Sequence, residues 1–225
     1  LLLFLFDRFN MASDLKETEE IAQEGMNCAD EAIRTLEKLE NKCELLRAYS
    51  TASLQSWYAY ITEHGERKNE LMRRSLSYSE KALKISKEVD DVYYVAMSNW
   101  AAALCSLLFT ENVAKSVEYS KEMLEQGKVL RDNYVKGVSS YLLAFATDWM
   151  TLREEDLDKK REGYGKIFQY AEDAISYFQQ VSQDFFIAET TLFYVEDYIS
   201  MTHEAIVTSD EKRASFATII EICRR

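Results

Sequence analysis

Apolar residues recur at helical spacing along almost the whole chain, in two kinds of segment that alternate. In the first kind the apolar positions form one stripe, which predicts an amphipathic helix with its other side in water. In the second kind apolar residues occur on more than one side, which is typical of a helix enclosed by neighbours. The amphipathic segments are 14–40, 66–89, 112–130 and 155–181, and the apolar segments are 43–62, 91–109, 133–152 and 184–203.

The amphipathic segment 66–89 illustrates the first pattern. Its expected buried stripe consists of Leu71, Leu76, Leu83 and Val89. The connections between segments are short and carry residues that cap helices, as at 90–91 (Asp-Asp) and 110–112 (Thr-Glu-Asn). Short connections of this kind predict antiparallel helix pairs.

Four stretches of the chain align without gaps across the junction between one helix and the next. They are 28–50, 78–100, 119–141 and 170–192, and their starts are 50, 41 and 51 residues apart. Equivalent positions hold residues of the same kind: one column contains Ala32, Ala82, Met123 and Ala174, and another contains Cys43, Tyr93, Tyr134 and Phe185. Self-similarity at this period indicates stacked repeats.

The alignment of the repeats can be extended to both ends of the sequence. Residues 1–9 correspond to the last turns of an apolar helix, and residues 210–225 correspond to the start of an amphipathic helix. We therefore expect nine or ten helices in a single repeat domain over 1–225, excerpted from a longer protein. A native start at Met11 is the alternative.

Composition favours an all-α fold. The chain has no proline and only six glycines, whereas folds built on sheets need many turns that use both residues. The net charge of −12 argues against nucleic acid, because each phosphate contact requires a cation. The apolar run 1–6 is too short to cross a bilayer. The cysteines lack paired spacing and are expected to be buried thiols in a reducing cytoplasm; they are Cys28, Cys43, Cys105 and Cys223.

The aligned segments resemble tetratricopeptide repeats. In that family a bulky residue, a small or aliphatic pair and an aromatic mark the first helix, and an Ala-Leu pair marks the second. The corresponding first-helix sets are Tyr93, Ala96, Met97 and Trp100, then Tyr134, Gly137, Val138 and Tyr141, then Phe185, Ala188, Glu189 and Leu192. The second-helix pairs are Ala82-Leu83, Met123-Leu124 and Ala174-Ile175. The resemblance implies antiparallel helix pairs stacked as a right-handed α-solenoid.

The chain departs from the family pattern in three respects. It has no proline after the second helix, and its units exceed the usual 34 residues. Small residues replace the large aromatic that precedes the Ala-Leu pair, namely Ala29, Ser79, Ser120 and Ala171. In these respects it looks like the longer-helix variants found in signalling scaffolds, peptide sensors and regulators attached to nucleotide-hydrolysing switches.

Residues suited to catalysis or metal binding form no recognisable set. His64 and His203 belong to no zinc or di-iron motif, and His203 is expected at the C-terminal end of a helix. The acidic run 154–158 lacks the spacing and glycine of a calcium loop. The chain also has no glycine-rich phosphate loop. We therefore predict a protein that is not an enzyme and has no cofactor or metal.

The resemblance implies a binding surface on the concave side of the solenoid. The residues that would face this side are Tyr94, Ser98, Val135, Ser139, Leu142, Phe186, Thr190, Phe193 and Tyr194. The surface would be neutral and aromatic, and we expect Tyr94, Phe186 and Tyr194 to be partly exposed on it. Trp100, in contrast, is expected in the core.

Two functions follow from the resemblance. The first is a scaffold that binds a protein or peptide, as one module of a larger regulatory protein. The second is a sensor whose groove encloses a small ligand or signal peptide. Neither function involves nucleic acid or a membrane, and both place the protein in the cytoplasm. A homodimer formed through exposed terminal repeats is a further expectation.

Overall fold

The computed structural model describes residues 15–63 and 65–203, together with the single positions 208, 211, 213, 217 and 220. The chain divides into two compact units, unit 1 (Leu1–Leu130) and unit 2 (Arg131–Arg225). Each unit is considered by itself. The predicted helix at 1–9 and His64 lie outside the described residues, as does most of 210–225. The expectation of a single domain over 1–225 stays a prediction.

Eight helices lie within residues 15–63 and 65–203, and no strand occurs among the described residues. In unit 1 they are α1 (Leu15–Leu39), α2 (Lys42–Thr62), α3 (Glu66–Ser86), α4 (Val92–Leu108) and α5 (Val113–Leu130). In unit 2 they are α6 (Asn133–Leu152), α7 (Leu157–Gln179) and α8 (Asp184–His203). The all-α prediction is confirmed for these residues. The superhelical stacking and the total of nine or ten helices stay predictions.

Polar side chains fix the starts of several helices. Asp91 accepts hydrogen bonds from the backbone N–H groups of Tyr93 and Tyr94, at 3.0 and 3.1 Å. Asn112 accepts one from the N–H of Lys115 at 3.2 Å. Both residues therefore cap helices as the sequence predicted, because they satisfy donors that the first helical turn leaves unpaired.

The junctions between repeats share an uncommon backbone conformation. Glu40, Arg131 and Ser182 occupy equivalent positions in the alignment, and their φ angles are 53°, 54° and 54°. A positive φ usually calls for glycine, because a Cβ is crowded there. The chain thus makes the same turn at three of its four aligned junctions without glycine, which agrees with its low glycine content.

The shorter middle repeat results from a shortening of both its helices. The helices α4 and α5 contain 17 and 18 residues, whereas α2 and α3 contain 21 each and α6 and α7 contain 20 and 23. Each helix of the middle pair is therefore shorter by about one turn. Because both partners shorten together, the two helices of the pair still match in length.

The amphipathic helix α3 buries a narrow stripe that consists mostly of small residues. Its buried residues are Leu71, Ser75, Ser79 and Ala82. Of the predicted stripe Leu71 is buried, whereas Leu76, Leu83 and Val89 are half-buried. The prediction is therefore only partly right, because it did not single out the three small residues that share the buried stripe with Leu71.

A pair of serines shows how closely α2 and α3 approach. The Ser53 hydroxyl donates to the backbone carbonyl of Ser75 at 2.8 Å, and the Ser75 hydroxyl donates to the carbonyl of Ser53 at 2.9 Å. Each side chain reaches the other helix's backbone, which a larger residue would prevent. The four small residues that replace the family's aromatic, from Ala29 to Ala171, are all at most 3 % exposed. These departures therefore lie at the helix contacts.

The apolar helices are enclosed to different extents. In α4 every residue from Ala96 to Cys105 is buried, Trp100 included, and this confirms that Trp100 belongs to the core. Among the described residues α8 buries mainly one stripe, while Phe185, Leu192 and Ile199 are exposed. The prediction that neighbouring helices surround α8 is therefore wrong within the described part of the chain. Its packing partners in that part cover only one side of the helix.

The cysteines are less uniform than predicted. Cys105 is buried, Cys28 is half-buried and Cys43 is exposed, and all three are free thiols. The prediction of a buried thiol is thus wrong for Cys43, because it lies in the first turn of α2 (Lys42–Thr62), where few neighbours surround the helix. Cys223 lies outside the described residues.

Two glycines provide a matched test of close packing in unit 2. A Cβ built at Gly137 would lie 2.7 Å from the ring of the fully buried Phe178, whereas one at Gly165 meets nothing within 4 Å. We expect Gly137→Ala to reduce the free energy of unfolding by about 1–3 kcal/mol, since the ring cannot move away freely. Gly165→Ala should increase it by about 0.5–1 kcal/mol through better helix propensity. Chemical denaturation followed by circular dichroism measures both, and equal effects would contradict the packing assigned to Gly137.

Candidate binding face

Most of the residues predicted to line a concave groove are buried. The seven buried residues are Ser98, Val135, Ser139, Leu142, Phe186, Thr190 and Tyr194. Only Tyr94 and Phe193 are half-buried. The expectation that Phe186 and Tyr194 are partly exposed is therefore wrong.

Packing within unit 2 explains the burial of Phe186. Its ring stacks on Phe178 of α7 with centroids 4.9 Å apart, and meets Tyr134 of α6 edge-on at 5.9 Å. The side chain is 4 % exposed. Because rings from three helices meet here, the position belongs to the core.

The side chains of Tyr194 and Phe193 likewise make contacts within unit 2. The Tyr194 hydroxyl donates to the Glu172 carboxylate at 2.6 Å. Phe193 meets the rings of Tyr141 and Phe145 edge-on, at 6.3 and 5.9 Å. Ring pairs at these distances are favourable packing arrangements, so both side chains help to hold α8 in place.

The hydroxyl groups of the two predicted serines form hydrogen bonds within their own helices. The Ser98 hydroxyl donates to the carbonyl of Val95 at 2.7 Å, and the Ser139 hydroxyl donates to the carbonyl of Val135 at 2.6 Å. Each hydroxyl therefore uses its single proton within its own helix.

Tyr94 alone among the nine predicted residues lines a cleft in unit 1. The cleft lies between α2 and α4, has a volume of about 170 Å³, and is lined by Arg47, Thr51, Tyr93, Tyr94 and Met97. The cap by Asp91 holds the first turn of α4, which carries both tyrosines. The Thr51 hydroxyl donates to the carbonyl of Arg47 at 2.8 Å. The walls of this cleft are thus set by local hydrogen bonds on both helices.

A second cleft lies on the α1 side of the same helix. It has a volume of about 460 Å³ and is lined by Cys28, Glu31, Ala32, Thr35, Leu36, Glu44, Arg47 and Ala48. Arg47 lines both clefts, so they adjoin each other across one turn of α2. We call the two clefts together the Arg47 face.

The charge at the centre of this face is only weakly paired. A guanidinium nitrogen of Arg47 lies 3.6 Å from a carboxylate oxygen of Glu44, and both side chains are more than 40 % exposed. An exposed ion pair one turn apart contributes little stability, because water screens both charges. The guanidinium can therefore exchange Glu44 for a carboxylate of a bound molecule at little cost.

One feature of the sequence points to this face. Arg47 is the last charged residue of α2, and fifteen uncharged residues follow it to Thr62. A cation at the edge of an otherwise apolar helix must reach solvent or a partner. The placement of Arg47 between α1 and α4, however, depends on tertiary packing, which the helical pattern does not encode.

Comparison of the chain with protein-family models and with curated proteins gives no match. The tetratricopeptide resemblance therefore rests on the residues quoted above and stays a prediction. Among the described residues, none of the helices combines the length and apolar character needed to cross a bilayer. The same residues contain no group of three or more histidine, cysteine or acidic side chains arranged to hold a metal ion.

Adjacent phenylalanines test whether the predicted groove is core. We expect Phe186→Ala to reduce the free energy of unfolding by about 3–5 kcal/mol, because it leaves a cavity among three helices. Phe185→Ala should cost about 1 kcal/mol or less, since that ring is 40 % exposed. Chemical denaturation of the two variants makes the comparison. Equal costs would mean that Phe186 is not a core residue.

Proposed function

We propose that the chain is a protein-binding module and that the Arg47 face binds a peptide segment of its partner. The observation that supports this is the pair of adjoining clefts on α2, which share a weakly paired cation. Helical repeats commonly present such surfaces to extended or helical peptides. The proposal retains the scaffold role inferred from the sequence but moves the binding residues to unit 1.

The lining of the two clefts defines the kind of peptide that would fit. The smaller cleft offers Tyr93, Tyr94 and Met97, which suits one aromatic or aliphatic side chain. The larger cleft has an apolar floor of Ala32, Leu36 and Ala48, and its volume lies within the range of ligand sites. A carboxylate between the two apolar groups would lie beside the Arg47 guanidinium.

Peptide binding accounts for this face better than an enclosed small ligand does. Glu31, Thr35 and Arg47 are exposed side chains, so the lining forms part of the surface of unit 1. A partner that spans both clefts would cover the apolar floor and leave the charged edge in contact with water, as in other protein interfaces. We place this module in a larger cytoplasmic regulatory protein.

Peptide selection provides the test. We expect a random peptide library displayed on phage and selected on the immobilised full chain to yield peptides with an acidic residue beside an aromatic or aliphatic one. Arg47→Ala and Tyr94→Ala should each raise the Kd of these peptides by about tenfold or more, since anchor residues dominate binding energy. Fluorescence polarisation with labelled peptides measures the Kd.

Two variants outside the face serve as matched controls. Arg34→Ala removes an exposed arginine of α1, and Tyr119→Ala removes a half-buried tyrosine of α5. Neither residue lines the two clefts, so neither change should alter the Kd. Bound peptide should also slow alkylation of Cys28, which lines the larger cleft. If Arg47→Ala binds the selected peptides as tightly as the natural chain does, the Arg47 face is not the binding site.

A further inference from the structure

Two acidic side chains meet in the interior of unit 2. Asp148 of α6 and Asp197 of α8 lie close enough for each side chain to affect the pKa of the other. They are 9 % and 4 % exposed. A hydrogen bond between two carboxyl groups requires a proton on one of them, because a carboxylate can only accept. Two buried carboxyl groups can therefore remain in contact when the folded unit holds a proton at this position.

The surroundings of the pair favour its protonated form. The Asp197 Oδ2 atom is buried and accepts no hydrogen bond from the described residues. Burial raises the pKa of both carboxyl groups, and the pKa of Asp197 is raised further by the charges of Asp148 and Glu196. Burial makes the ionised form of a carboxyl group costly.

Other titratable and aromatic groups of the three helices make contacts of their own. On α6 the Tyr141 hydroxyl donates to the buried Glu189 carboxylate of α8 at 3.1 Å, and burial raises the pKa of Glu189. On α7 Tyr164, Ile167 and Phe168 pack together with Phe193 of α8, and Glu172 accepts the Tyr194 hydroxyl. Just after α6, the guanidinium of Arg153 lies over the Trp149 ring, 4.7 Å from its centroid.

The sequence spacing brings these groups onto one seam. Tyr141, Phe145 and Asp148 recur at helical intervals on α6, and Glu189, Phe193 and Asp197 do so on α8. Phe145 and Phe193 meet between the two polar pairs with centroids 5.9 Å apart. The two polar pairs thus flank an aromatic contact, and the carboxyl groups are part of what joins α8 to α6.

We propose that Asp148 and Asp197 form a proton-dependent contact that fixes α8 against α6 and weakens as pH rises through neutrality. While the pair keeps a proton, it is joined by a hydrogen bond and carries at most one charge. Loss of that proton places two negative charges together in the interior. Opening of α8 relieves the repulsion by exposing both carboxylates to water, so the opening equilibrium is linked to proton release.

The direction of the pH effect follows from proton binding. In the unfolded chain an aspartate has a pKa of about 3.9, and in the folded unit the pKa of Asp197 is raised to about 8. Between these values the folded unit binds more protons than the unfolded one. The contribution of this pair to stability is therefore fully present below pH ~4 and decreases as pH rises toward 8. For one linked proton, opening becomes about tenfold more favourable per pH unit across this interval.

Hydrogen exchange on the full chain tests the linkage. After correction for intrinsic exchange, protection of α8 should fall about tenfold per pH unit between pH 6 and 7.5, with α4 of unit 1 as internal reference. In the isosteric double variant Asp148→Asn and Asp197→Asn this dependence should disappear. Glu196→Gln removes a neighbouring charge outside the pair and should retain most of it. If the dependence is lost in Glu189→Gln and kept in the double variant, the assignment to Asp148 and Asp197 is wrong.

Carbon-13 NMR of the natural chain gives a second test that needs no variant. We expect aspartate carboxyl carbons whose titration extends above pH 6, and the two asparagine substitutions should identify them. If every aspartate carboxyl has finished titrating by pH 5, the folded unit holds no proton there and the proposal fails. Should the double variant not fold, this titration alone decides the question.

Discussion

Contact through small side chains is the constraint on which the packing of α3 depends. Ser75, Ser79 and Ala82 are among its buried residues, and at Ser53 and Ser75 the side chains reach across to the opposite backbone. Larger residues at these positions would hold the helices apart. The resemblance to tetratricopeptide repeats is looser at these positions than elsewhere, because the family places an aromatic ring where this chain has Ala29, Ser79, Ser120 or Ala171.

The packing of side chains also determines where apolar surface remains accessible to a ligand. With small residues at the helix contacts, the large rings of unit 2 pack against one another, as Phe178, Phe186 and Tyr134 do. Positions that would be free in a more open repeat are thereby filled by the protein itself. In unit 1 the space beside α2 is lined by Tyr94, Met97 and Leu36 and remains accessible around Arg47. The candidate site is thus found where internal packing leaves apolar surface uncovered.

Local features of the sequence predicted more of this protein than long-range ones did. Helix bounds were predicted to within three residues, and the caps at Asp91 and Asn112 were identified, because helical period and capping depend on neighbouring residues. The buried stripe of α3 was mostly missed, since apolar character does not show how closely two helices approach. The groove residues were carried over from a resemblance, and contacts within the chain bury most of them.

The residue pairs on which the two proposals rest lie far apart in the sequence. Asp148 and Asp197 stand on helices separated by α7, and nothing in the pattern around either residue points to the other. Arg47 is visible as the last charged residue of α2, but its neighbours Tyr94 and Leu36 come from two other helices. Such juxtapositions arise only when the helices are packed, and so the sequence offered no basis for finding them.

The positive φ shared by Glu40, Arg131 and Ser182 has a consequence for substitution at these positions. A Cβ is crowded in this conformation, whereas glycine adopts it readily. Glycine should therefore be tolerated at each of the three positions, although the chain does not use it there. The equivalent Asp90 has no positive φ, so an aligned junction can also be made without this conformation.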